Sequence, residues 1–341
     1  MLLKEATVII LTLMLVSTSE VTLADGEGIR VTVTIDILKT IVFPIIEGAG
    51  EVNSIVPEEA EPHSFILTPS IIKDAARSDL IVITGHMEWE KELIRRVAEE
   101  RGVNPESVSL NLLEVDGVRI FSIEGERNIH GFWLLPENVL AIAKALTDKL
   151  KELRPEYSQR ISENYNSFSK EIDALKSFLR NLKEKYGLSG KKAALTFYAE
   201  QYVAEAIGLE VDDVLIGEEG AIKPGAIMRV RERAKSGEYA CIIASDEALM
   251  MENVKGNLEE ISRETGCPVT YVLTVVTRGL RRYEDVMYYN AGQIYNAVLS
   301  RNEVSSNGID AHYYYLTIIA ILLVTVFSET LLLIRARGRS G

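Results

Sequence analysis

Cysteine is close to absent from this chain: it has only two, Cys241 and Cys267. So few exclude a disulfide scaffold, and their spacing excludes a Cys-pair zinc finger. Two readings of them stay open, a bridge formed in an oxidising compartment or a pair of buried free thiols. Positive charge is also scarce. Lys and Arg total 37 against 50 Asp and Glu, a formal net charge of -13. Such a surface is unsuited to nucleic acid, whose phosphates need a basic patch, and mildly favours cations. The chain has no dinucleotide-type glycine fingerprint, no phosphate-binding P-loop and no close internal repeat. Histidine is rare as well, with four in all: His63, His86, His130 and His312. What the chain does have is length, 341 residues, enough for two domains of ordinary size.

The two ends suggest a location. Lys4 precedes the apolar run Val8 to Val16, and mostly small or neutral residues follow as far as Ala24. Residues 1–24 therefore read as a signal segment. No Cys follows it, which argues against a lipid anchor at that point. Leu316 to Ile334 is apolar apart from Thr317, Thr325, Ser328, Glu329 and Thr330, and would cover ~28 Å, about one hydrocarbon core. Tyr313 to Tyr315 flank it as an interfacial belt would, and Arg335, Arg337 and Arg339 mark a cytoplasmic side. Glu329 then belongs near the inner interface or against a partner helix. The expectation is a tether at 301–312, a transmembrane anchor at 313–334 and a cytoplasmic tail at 335–341. The protein would be single-pass in the cell membrane, with its body on the extracytoplasmic side.

Between the ends, the stretch from Pro155 to Gly187 stands out. Ile161, Tyr165, Phe168, Ile172, Leu175, Phe178 and Leu182 recur at gaps of three or four, the period of one helix face. A helix of ~30 residues spans roughly 45 Å, enough to run down the back of two lobes. On either side strands alternate with helices. Arg30–Ile35, Glu51–Val56 and Leu80–Thr84 read as strands before it, and Lys192–Thr196, Val211–Ile216, Tyr239–Ala244 and Pro268–Thr274 after it. The alternation predicts parallel sheets covered by helices. The expected fold is α/β, with two similar doubly wound lobes at 25–154 and 188–300. One long rigid helix at 155–187 joins them, and the transmembrane helix follows. Ligands of such sheets bind at the carboxyl ends of the strands.

One histidine sits where that rule wants it, and a second lies in a topologically similar loop. His63 lies in the proline-bounded loop 57–65 after a strand, and His130 lies in a loop just before a helix. Imidazole is the commonest side-chain ligand of a borderline transition metal such as zinc, and two imidazoles need two further donors for a four-coordinate site. His86 follows the strand 80–84; it reads as a loop or helix-start residue, with the alternative of a further donor. Trp89 and Trp133 read as packing residues.

The motifs in order resemble one family. Glu61-Pro62-His63-Ser64-Phe65 is similar to the Asp-Pro-His element of the solute-binding proteins of zinc and manganese ABC transporters. Ser78 to Gly85 resembles that family's next strand, and His130-Gly131-Phe132-Trp133 running into Pro136-Glu137-Asn138 resembles its second histidine element. Pro155-Glu156 with Asn164, Tyr202 with Gly208-Leu209, and Tyr283 with Met287 and Asn290 resemble its later helices. The resemblance covers roughly residues 30–298. It implies two α/β lobes with one divalent metal, zinc or manganese, held between them for delivery to an ABC permease, without catalysis.

In that family each lobe usually supplies two ligands. His63 and His130 are the first-lobe pair. The second-lobe pair does not carry over, because Phe197 and Val275 stand where the family commonly has a histidine and a further donor. Glu200, Asp246 and Glu247 are the candidate substitutes, with solvated or helix-capping acids as the plainer reading of each. The chain also lacks a His-rich loop. Two other functions are carried along. One is a binding or adhesion module that keeps this fold with a degenerate metal site. The other is a metal-dependent hydrolase with Glu200 as its base.

Overall fold

A computed structural model describes residues 28–301 except Glu59, Glu218, Glu219 and Glu252. The first lobe runs β1 (Ile29–Val33), α1 (Lys39–Ile46), β2 (Gly50–Ser54), α2 (Pro69–Ala75), β3 (Leu80–Ile83), α3 (Glu88–Arg101), α4 (Pro105–Val108) and β4 (Ser109–Asn111). A short hairpin of β5 (Ser122–Ile123) and β6 (Glu126–Arg127) follows, then α5 (Pro136–Leu153). The second lobe runs β7 (Lys192–Leu195), α7 (Glu200–Ile207), β8 (Glu210–Val214), α8 (Ala226–Lys235), β9 (Tyr239–Ser245), α9 (Asp246–Met250), α10 (Val254–Thr265) and β10 (Val269–Val272). It closes with α11 over residues 283–301. Between the lobes lies α6 (Ser158–Tyr186).

Both sheets are parallel and share one strand order. The first is β2-β1-β3-β4 and the second is β8-β7-β9-β10, so each lobe places its first and third strands at the centre. The central strands are the apolar ones: all of Leu80–Ile83 is buried, and Tyr239–Ser245 is buried apart from Ala240. That is the pattern of strands covered on both faces. The edge strand β2, Gly-Glu-Val-Asn-Ser, stays largely exposed. Between β1 and β2 the chain forms a 3-10 turn, Asp36–Leu38, and then α1 with Pro44 inside it.

The long helix packs on α1 and α5 of the first lobe and α7 of the second. Its buried stripe is Ile161, Phe168, Ile172, Leu175 and Leu179. Phe178 is left 42% exposed and meets Tyr288 of α11 edge-on, with ring centroids 5.2 Å apart. Asn164 donates to the carbonyls of Ile45 (3.0 Å) and Glu47 (2.9 Å), closing the end of α1. One continuous core runs through both lobes, from Val31 and Leu80 to Leu195 and Val272. Backbone and side-chain hydrogen bonds also cross the cleft. The Ile37 amide donates to Val275 (2.9 Å), the Trp133 indole to Thr274 (3.1 Å), the Tyr202 hydroxyl to Asn128 (2.6 Å) and the Tyr283 hydroxyl to Leu134 (2.7 Å).

The expected membrane span is corrected. No helix among the described residues is long and apolar enough to cross a membrane. The longest, α6, has the length but carries Arg160, Glu163, Lys170 and Glu171 along it, and charges of this kind are costly in lipid. The anchor placed at 313–334 and the signal segment at 1–24 lie outside the described residues.

Candidate metal centre

Three loops of the first lobe deliver three imidazoles to one place. The loop after β2 carries His63, the turn after β3 carries His86 and the segment before α5 carries His130. One donor atom from each lies within 4.8 Å of the other two. Ring centroids are 5.4 Å apart for His63 and His86, 5.3 Å for His63 and His130, and 4.9 Å for His86 and His130. The three rings border a cavity of about 10 Å³, closed by Ile35, Pro62, Met87, Trp133, Glu247 and Val275. That is room for one water-sized atom.

Each loop is held in place locally. Glu61 accepts from the backbone of His63 (2.9 Å) and of Ser64 (2.7 Å) and meets His63 Nδ1 at 2.8 Å. The Trp89 indole donates to the carbonyl of Pro62 (2.8 Å), tying this loop to α3. Asn128 accepts from the His130 amide (3.0 Å) and donates to Tyr198 and Gln201 of the second lobe, both at 2.8 Å. Gly131 follows with φ +80°, and a Cβ there would come within 2.5 Å of the carbonyl oxygen of Ala199. Only glycine allows the histidine segment to lie this close to the second lobe. Trp133 stacks on His86 at 6.0 Å with 17° between planes.

The second lobe presents mostly an apolar wall. Phe197, fully buried, meets the His130 ring edge-on at 5.3 Å, and Tyr198 stacks on the same ring at 5.8 Å. Its polar contribution is Glu247, 3% exposed, whose Oε1 lies 3.4 Å from His63 Nδ1. Glu61, His63 and Glu247 form a second close cluster that shares His63 with the first.

The other two acids named from the sequence are elsewhere. Glu200 is fully buried and accepts from the Thr196 hydroxyl, the Phe197 amide (2.8 Å) and the Ser245 amide (2.6 Å). Asp246 accepts from the amide (2.8 Å) and hydroxyl (2.7 Å) of Thr274 and from the amide of Val276 (2.9 Å). Both carboxylates staple strand ends to one another. Ser245 caps α9 through the Ala248 amide (3.0 Å). Of the adjacent acids that follow, Asp246 engages the segment after β10 and Glu247 borders the cleft cavity.

Sequence reasoning missed Glu90, which is wholly buried in α3. It accepts from the Thr34 hydroxyl (2.5 Å), the Thr84 amide (2.8 Å) and hydroxyl (2.7 Å), and the Gly85 amide (2.8 Å). Only the phase of Glu90 on the amphipathic helix, beside Leu93 and Val97, hinted at burial.

The electrostatics of the cluster separate its three histidines. Burial, with the neighbouring histidines, pushes His130 down to about 4 and His86 well below the usual imidazole range. Both are therefore neutral near neutral pH. Burial also opposes charge on His63, but the Glu61 hydrogen bond and the field of Glu247 outweigh it and raise its pKa. Burial pushes Glu247 up to about 8, against the opposing pull of His63.

Two like lobes braced by one helix, with imidazoles converging in the cleft, define the class of solute-binding receptors for transition metals. Comparison with known proteins agrees. The model of the family described as ZnuA, zinc-uptake complex component A, periplasmic, matches residues 31–297. The chain belongs to that family. Manganese-binding lipoprotein MntA of Halalkalibacterium halodurans is 22% identical over 278 residues, 78% of this chain and 87% of that protein. The manganese ABC transporter substrate-binding lipoprotein PsaA of Streptococcus pneumoniae is 24% identical over 195 residues, 54% of this chain and 61% of that protein. A crystal structure of ZnuA superposes with a TM-score of 0.66 at 18% identity, over 80% of this chain and 100% of that one. FpvC of Pseudomonas aeruginosa, in complex with Mn2+, gives 0.66 at 20% identity, over 80% and 99%. These relatives share the fold. The curated ones are named lipoproteins, and no helix among the described residues spans a membrane, so the expected single-pass, C-terminally anchored placement in the cell membrane is not supported.

Proposed function

We propose that this protein captures a divalent transition metal, zinc or manganese, in the cleft between its lobes and hands it to an ABC permease. The observation that carries the reading is the convergence of His63 and His130, from separate loops, on a cavity that the second lobe closes with the buried acid Glu247. Neutral imidazoles are competent ligands, and His63, whose pKa is raised, is where protons compete first, so affinity falls as pH drops. The continuous core and the hydrogen bonds across the cleft support small adjustments of the lobes rather than wide hinge closure. A degenerate, metal-free module would need a cleft without donors, which the three imidazoles do not suit. A hydrolase would need Glu200 as base, but its oxygens are taken up by strand-end donors.

Thermal unfolding of the full chain, stripped of metal and then given zinc or manganese, tests this reading. A ligand that binds only the folded state stabilises it by about 2.7 kcal/mol at a hundredfold excess over Kd. The shift should appear in the wild type and vanish in both His63→Ala and His130→Ala. A folded wild type that does not respond to either metal would refute capture.

A further inference from the structure

The position of His86 carries a more specific conclusion, which rests on the capture reading. The resemblance places a third imidazole in the second lobe, where this chain has Phe197 instead. His86 Nδ1 lies 2.8 Å from the Thr84 hydroxyl, and that hydroxyl lies 2.7 Å from Glu90 Oε2. Glu90 Oε2 also accepts the Gly85 amide at 2.8 Å, so it is the acceptor for Thr84 as well. A hydroxyl has one proton to give. With that proton directed to Glu90, Thr84 offers His86 only a lone pair, so Nδ1 carries the imidazole proton. Nε2 is then the nitrogen with a free pair. A carboxylate behind a ligand ring, here acting through a hydroxyl, is the usual device for fixing tautomer and orientation. His63 has a parallel arrangement, with Glu61 at 2.8 Å and Glu247 at 3.4 Å from its Nδ1.

We infer that the first lobe alone supplies three imidazole ligands, His63, His86 and His130, with Thr84 positioning His86, and that the resulting site selects zinc over manganese. The chemistry follows from the donor set. Zinc takes four ligands readily and favours imidazole, whereas manganese suits carboxylate, carbonyl and water oxygens in larger shells. A cavity of about 10 Å³ between three imidazoles, walled by Trp133 and with Phe197 packed on His130, presents one lining carboxylate, Glu247, and leaves no room for a larger oxygen shell. The second lobe acts through Glu247 on His63 and by excluding water.

The test uses the full chain in chelator competition with zinc and with manganese, and Co2+ as a spectroscopic probe of coordination number. Wild type should bind zinc at least about a hundredfold more tightly than manganese, and its Co2+ form should show the intense visible bands of four-coordination. His86→Ala should weaken zinc by about a hundredfold, Thr84→Val by roughly ten- to a hundredfold, and Thr84→Ser should restore binding. Thr84→Val should add nothing to zinc affinity in the His86→Ala background, whereas a merely structural role would still register there. Thermal unfolding of each metal-free variant confirms that it is folded. Zinc affinity unchanged in folded His86→Ala, or manganese bound as tightly as zinc, overturns the inference while leaving capture intact. Failure of the wild type to bind any metal overturns capture itself.

Discussion

Each lobe buries a glutamate that ties its first and third strands together at their carboxyl ends. In the first lobe Glu90 joins Thr34, after β1, to Thr84, after β3. In the second, Glu200 joins Thr196, after β7, to Ser245, at the end of β9. The acids come from different helices, α3 after the third strand and α7 after the first, so the same brace is reached by two routes. The difference lies in what each brace supports. Thr84 passes the contact on to His86, whereas the Glu200 network ends in backbone amides and leaves Phe197 facing the cleft. One sheet end carries the converging imidazoles and the other mostly an apolar wall. Two equal topologies need not divide the chemistry equally.

The contrast can be tested where the lobes touch. Gly131→Ala should cost about 3–4 kcal/mol in denaturant unfolding, because a left-handed residue would also drive its Cβ into Ala199. Gly125→Ala has similar backbone strain but open space around it, and should cost only about 1–2 kcal/mol. Equal losses would mean that the approach of the lobes at Gly131 is not tight.

A second test separates the two braces by pH. Burial pushes Glu200 up to about 7, above its ordinary 4.5, despite the hydrogen bonds from Thr196, Phe197 and Ser245 that pull it down. The folded carboxyl thus holds its proton better than the unfolded one. Its contribution is complete below about pH 4.5 and is lost as pH rises towards about 7, an effect on the order of 3 kcal/mol. Glu200→Gln cannot titrate, so the stability deficit of the variant should shrink by about that amount between acid and mildly alkaline pH. Its zinc affinity should stay within about twofold of wild type, since no ligand hangs on this brace. A pH-independent deficit would sink the assignment of a raised Glu200. The smallest effect concerns a single tie across the cleft. Tyr283→Phe removes the hydrogen bond to Leu134 and should lower stability by about 1 kcal/mol. No measurable loss would show that water takes over that carbonyl.

Much of this was visible in the residue string, for physical reasons. Buried parallel strands such as Leu80–Ile83 announce themselves as unbroken apolar runs, and the long helix by its period. The period drifts along a straight helix, which is why the buried stripe passes to Leu179 and leaves Phe178 outside. His63 and His130 sit in motifs with recognisable neighbours. His86 has no such motif, and its place beside them depends on three strand ends meeting in space, which spacing along the chain does not encode. The split between Asp246 and Glu247 was likewise hidden: the cap at Ser245 starts a helix, but only the fold decides which acid turns towards the cleft. Membrane anchorage was inferred from the hydropathy of 316–334 with its tyrosine and arginine flanks, all outside the described residues.

The core that runs unbroken from the first sheet to the second has a consequence for how the molecule breathes. Elements sharing one apolar interior tend to open as one cooperative unit. Amides in β1 and β3 should therefore exchange their hydrogens with solvent at rates close to those in β7 and β9, and either half expressed alone would carry a raw apolar face. Traffic through the cleft must then pass by small adjustments at its rim, within a body that otherwise unfolds all at once.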